Sequence, residues 1–76
     1  MNEKTFAVRA MLCRMAPVKS IPIIQSFLLP AEEEMVLIEK EARGKSIQQI
    51  AMEHNMSVET VKRRRRSALE KIANSL

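Results

Sequence analysis

Residues 46–66, SIQQIAMEHNMSVETVKRRRR, decide the fold. Ser46 followed three residues later by Gln49 is a capping-box pattern that opens a helix. Ile47, Ile50 and Ala51, spaced three and four apart, supply its inner face. After His54, Asn55 is one of the few non-glycine residues that accepts positive φ at low cost, so the chain turns sharply there. Ser57 caps a last helix running from Val58 to about Ala73 with no breaker in its way. Its predicted buried side is Val58, Val61, Ala68, Leu69, Ile72 and Leu76. Ala51 is small where the two helices cross, Met56 fills the space beneath the turn, and Val61 packs back on the first helix. Two short helices joined by a tight turn, the second leading into Lys62 and four arginines, describe a helix-turn-helix.

Upstream, Gly44 is the only glycine and is placed to close a preceding helix in the left-handed conformation. That helix begins at Pro30, whose missing N–H is no loss in a first turn. Glu32, Glu33 and Glu34 follow where the helix dipole favours negative charge. The helix reaches about Ala42, with Ala31, Met35, Ile38 and Ala42 as its apolar stripe and Val36 and Leu37 beside it. In residues 4–16, Phe6, Val8, Met11, Leu12 and Met15 recur at helical offsets between Lys4, Arg9 and Arg14, and Pro17 ends the segment. Between residues 18 and 29 the apolar side chains cluster around Pro22, which fits either a short helix opened by Ser20 or an extended packed segment. The expected architecture is all-α: a small helical bundle of four to five helices. Residues 29–76 form the helix-turn-helix unit, and residues 1–28 form a helical extension that covers its core or mediates dimerisation.

Seventy-six residues suffice for one small domain. Hydrophobic residues make up 46% of the chain with Phe6 and Phe27 as the only aromatics, a mixture of Leu, Ile, Val, Met and Ala that favours packed helices. The formal charge of +4 is unevenly spread: Glu32, Glu33, Glu34, Glu39 and Glu41 make one acidic stretch, and residues 62–66 are five consecutive cations. The cationic run is the functional suspect. The single Cys13 has no disulfide partner, no zinc-ligand spacing exists, and neither metal nor cofactor is expected. His54 lacks a second ligand, Cys13 lacks a histidine in the pattern, and adjacent glutamates diverge on a helix, so no enzyme is read here. Arg9, Arg14 and Lys19 break up the N-terminal apolar residues, which fits neither a membrane span nor a signal peptide and places the protein in the cytoplasm.

The ordered set Leu29-Pro30, Val36-Leu37, Gly44-Lys45-Ser46, Ile50-Ala51, Met56-Ser57, Thr60-Val61-Lys62, Arg64, Ala68-Leu69 and Lys71-Ile72 resembles the C-terminal, promoter-reading region four of bacterial sigma factors. The resemblance spans residues 29–72 without a gap. LuxR-type regulators are similar around residues 44–62 but have one residue fewer between the positions of Leu29 and Gly44. The resemblance implies a DNA-binding transcription protein of a bacterium or mobile element. Nothing before Leu29 is similar to the sigma domains that melt DNA, so a complete sigma factor is not expected. Two positions depart from the pattern: His54 replaces a usual Leu, and Arg65 replaces a usual apolar residue, where it is expected to snorkel.

A helix-turn-helix puts the leading turns of its second helix in the major groove, which makes Val58, Glu59, Thr60, Lys62 and Arg63 the candidates for base contact. Arg64, Arg65 and Arg66 stand at successive 100° steps and cannot share one groove, so Arg64 and Arg66 are assigned to phosphate and one of the three lies along protein. Lys45, Ser46 and Gln48 at the start of the supporting helix are further phosphate candidates, with plain helix capping as the alternative. The expected partner is double-stranded DNA. One such unit makes few contacts, so useful affinity calls for a homodimer, RNA polymerase or another protein. The alternative function is a nonspecific DNA-binding adaptor, as in phage terminase small subunits. A membrane surface or stacked RNA would want exposed aromatics, which residues 28–76 lack.

Overall fold

The computed structural model describes residues 3–75, which form helices and no strand. The elements are α1 (Glu3–Arg14), α2 (Pro17–Ser26), α3 (Ala31–Leu37, running on through a π-helical turn at Ile38–Ala42), α4 (Ile47–Glu53) and α5 (Val58–Ser75). The all-α bundle with a helix-turn-helix expected from the sequence is thus the observed class. At 18 residues, α5 is about 27 Å long, close to the 31 Å greatest extent of the molecule. It is the axis against which α1, α3 and α4 all pack.

The buried side chains fall into two clusters. Val8 and Leu12 from α1, Ile24 from α2, Leu37 from α3 and Ala68, Leu69, Ile72 and Ala73 from the far half of α5 form the larger. Val36, Ile50, Ala51 and Val61 form the smaller, with Met35, Ile47, Met56 and Val58 packed around it. The second cluster is the helix-turn-helix core read from the sequence. On α5, Val58 is only partly buried, Ala73 joins the buried side, and Leu76 lies outside the described residues.

Three sequence expectations change. In α1 the buried residues are Thr5, Val8 and Leu12, whereas Phe6 and Met11, expected inside, are 61% and 38% exposed. Residues 17–26 are helical: Pro17 does not merely end α1 but opens α2 at a position where its missing N–H is free of cost. Pro22 sits inside α2 and leaves the Val18 carbonyl without its helical donor. Val18 is 78% exposed, on the solvent side of α2. In α3 the buried face is Glu33, Val36 and Leu37 rather than the stripe through Ala31, because this helix serves both clusters at once. Val36 faces one cluster and Leu37, 100° further round, faces the other.

Left-handed residues close three helices: Leu28 (φ 53°), Gly44 (φ 71°) and Asn55 (φ 55°). At Asn55 the Met56 N–H donates to the Ala51 carbonyl at 2.8 Å and the Asn55 N–H to the Met52 carbonyl at 3.4 Å. That double closure is a Schellman motif, and it fixes the angle at which α5 departs.

Candidate nucleic-acid interface

Both serine caps are formed. The Ser46 hydroxyl accepts the Gln49 N–H at 3.0 Å. The Ser57 hydroxyl accepts the Thr60 N–H at 3.0 Å and donates to the Thr60 hydroxyl at 2.7 Å. The first turn of α5 is therefore closed by hydrogen bonds, and it leaves the smaller cluster at the Asn55 turn with Val58 packed against that cluster. Glu59, Arg63, Arg66 and Glu70, at offsets of four, three and four, line its exposed ridge, with exposed Lys62 beside them. Val58 and Thr60 are half-buried, Val58 against the core and Thr60 tied to the Ser57 cap.

A shallow cleft lined by Lys40, Ser46, Ile47, Gln48, Val58 and Lys62 joins the start of α4 to the start of α5. A second, lined by Ile47, Lys62, Arg65, Arg66 and Leu69, continues it along α5. Lys62 lies in both, so the structure brings Ser46 and Gln48 together with Lys62, and through it with Arg66. Lys45 stands apart: its ammonium is held by Glu39 at 2.8 Å and Glu53 at 2.7 Å. Hydrogen bonds to Glu39 first, and to Glu53 next, raise its pKa above the ordinary lysine value. Arg64 is also engaged, its Nε donating to Glu32 at 2.9 Å on an exposed surface. Of the cations on α5, Lys62, Arg63 and Arg66 are in no ion pair among the described residues, whereas Arg64, Arg65 and Lys71 each hold a glutamate. No cluster that would hold a metal ion occurs among the described residues, and none of their helices is long and apolar enough to cross a membrane.

Arg65 is the residue that lies along protein. Its side chain is 13% exposed, and its Nε donates at 2.7 Å to Glu41, whose side chain is wholly buried. The other Glu41 oxygen accepts the Cys13 thiol at 2.8 Å. Burial, then the hydrogen bond and charge of Glu41, push the Cys13 thiol pKa above its ordinary value. Snorkelling is thus replaced by an internal partner. Glu41 reaches inward because the π-helical turn, seen in the Arg43 N–H to Ile38 carbonyl bond of 3.0 Å, rotates it away from the α-helical phase. Sequence reasoning misses Glu41 and Lys40, because periodicity reads Pro30 to Ala42 as one regular helix. The available signal was the cation at position 65, where an apolar residue was expected and a buried carboxylate was therefore required.

The profile of the family Sigma-70, region 4 matches residues 28–72. The chain belongs to the sigma-70 region 4 family. Region 4 is a DNA-binding helix-turn-helix of the transcription machinery, and in this chain the matched span takes in α3, α4 and α5 as far as Ile72. Helices α1 and α2 lie wholly before it, although they supply Val8, Leu12 and Ile24 to the larger cluster under the region 4 helices. No curated protein and no solved structure matches the chain significantly.

Proposed function

We propose that this region 4 protein binds double-stranded DNA sequence-specifically and regulates transcription, acting in the cytoplasm through the leading turns of α5 in a major groove. The observation that carries this reading is the ridge of Glu59, Arg63 and Arg66 with Lys62 beside it, exposed, without internal ion pairs for its cations, and aimed by the Asn55 closure. Glu59 suits a cytosine amino group, and Lys62 or Arg63 suits guanine. Arg66, with Ser46 and Gln48 across the cleft, suits phosphate. Arg64 reaches phosphate by exchanging Glu32 for it, an exposed pair that costs little to break. Val58 and Thr60 then act by shape at the groove wall, and Lys45, neutralised by Glu39 and Glu53, orders the loop before α4. Membership of the family supports RNA polymerase as a second partner.

The test is selection of bound fragments from random duplex DNA, followed by gel-shift titrations of the selected and scrambled sequences at rising salt. A regulator keeps a preference for the selected sequence as salt rises; equal loss on both marks a nonspecific adaptor instead. Arg63→Ala should cost about 1–3 kcal/mol and relax discrimination at one base position. Arg66→Ala should weaken all sequences alike and lower the salt slope by about one.

A further inference from the structure

Helix α1 spends only one face on the core. Thr5, Val8 and Leu12 point inward, and the outward face carries Glu3, Phe6, Ala7, Ala10, Met11 and Arg14. Phe6 is 61% and Met11 38% exposed. Shallow hollows flank the helix, one bordered by Ala7, Val8, Met11 and Ala73 with Lys4 at its edge, and the other by Phe6, Ala10 and Cys13 with Arg9 at its edge. Glu3 and Arg14, at the two ends of this face, are exposed and form no ion pair among the described residues.

The order of these residues is self-complementary. When a second copy of α1 is laid antiparallel across a two-fold axis, Glu3 faces Arg14, Phe6 faces Met11 and Ala7 faces Ala10, with each pairing occurring twice. The small alanines fall nearest the axis, where backbones must approach most closely, and an aromatic ring meets a thioether on either side. Both ends pair opposite charges. A parallel arrangement would instead set Glu3 against Glu3 and Arg14 against Arg14, so charge alone selects the antiparallel sense.

We infer that the outward face of α1 is a homodimer interface, formed by antiparallel pairing of α1 with α1 of a second copy. The interface lies beside Ala73, near the far end of α5. Seven residues of helix, about 10 Å, separate Ala73 from Arg66, so both cationic ridges stay free. The dimer therefore presents two readers related by a two-fold axis. A single helix of 12 residues covers less than the roughly 800 Å² per partner of a standard interface, so association is weak and requires high protein concentration.

Sedimentation equilibrium of the whole chain without DNA tests this independently of any DNA reading. The wild type should dimerise as its concentration is raised. Glu3→Arg and Arg14→Glu each place like charges at both ends of the pair and should each weaken self-association by about tenfold. Mixing the two variants restores opposite charges at both ends, so the heterodimer should form with roughly the wild-type affinity. Phe6→Ser, outside the core, should also weaken the dimer while leaving the circular dichroism and melting of the monomer unchanged, which separates lost pairing from lost folding. A chain still monomeric at about 1 mM, or a dimer indifferent to all three substitutions, or a mixture that shows no preference for the heterodimer, overturns the proposal.

Discussion

The two buried clusters divide the labour of the molecule unequally. The larger draws on α1, α2, α3 and α5 and lies under the far half of α5; the smaller draws on α3, α4 and α5 and carries the end that meets solvent with Lys62 and Arg63. Eight buried residues against four means that the helix-turn-helix holds little of its own apolar stabilisation. Its geometry is borrowed: α3 and α5 run through both clusters, so anchoring them at one end orients them at the other. A reading surface gains exposure by being thinly packed, and rigidity by being continuous with a thicker core elsewhere.

The seam between the clusters is where this comparison breaks most easily. Arg65 stands on α5 between Val61 of the smaller cluster and Leu69 of the larger, and Glu41 neutralises it from α3. Glu41→Ala leaves a buried cation without its partner and should cost roughly 3–5 kcal/mol in denaturant unfolding. The double change Glu41→Leu with Arg65→Met should recover most of that loss; a single variant as stable as wild type would show that the seam is not held by charge. Leu12→Ala empties a fully buried site in the larger cluster and should cost roughly 2–5 kcal/mol. If the clusters are mechanically continuous, its thermal transition stays cooperative and α4 and α5 melt with α1. A separate early loss of α1 would instead make the clusters independent.

Smaller changes sharpen the contrast. Ser57→Ala removes the cap of α5 on the thin side and should cost about 1 kcal/mol, with fraying of the first turn visible in amide exchange. The Cys13 thiol should react slowly with alkylating reagents near neutral pH, because its raised pKa keeps it protonated. Glu41→Gln should speed that reaction by removing an acceptor and a negative charge, although the effect of burial, the largest cause, remains. The sign for stability follows: folding favours the protonated thiol, so its contribution is complete below the ordinary thiol pKa and declines as pH rises towards the raised one. Alkylation as fast as that of a free thiol at neutral pH would contradict the Glu41 contact.

The caps and the turn were legible because they are local: Ser46, Asn55 and Ser57 each act within three or four residues of themselves. The phase of α3 was illegible for the opposite reason. Periodicity assumes one core and a constant twist, and this helix has two cores and a π-helical turn. Glu33 is buried on this helix, and Lys71, 38 residues away, donates to its carboxylate at 3.0 Å. Similarly, Phe6 and Met11 match a helical stripe as well as Val8 and Leu12 do, and only the position of α5 decides which side faces in. For the candidate interface, the cationic helix was evident, but which cations were already engaged depended on partners distant in sequence, Glu32 for Arg64 and Glu41 for Arg65.

The widened turn at Ile38–Ala42 acts as a length adapter. It absorbs one residue more than an α-helical turn would, so the spacing from Pro30 to Gly44 is uncoupled from the direction in which α4 sets out. A chain one residue shorter in this interval would pass through it as an ordinary α-helical turn. It would lose the inward-facing position that Glu41 fills, and with it the buried carboxylate that holds Arg65.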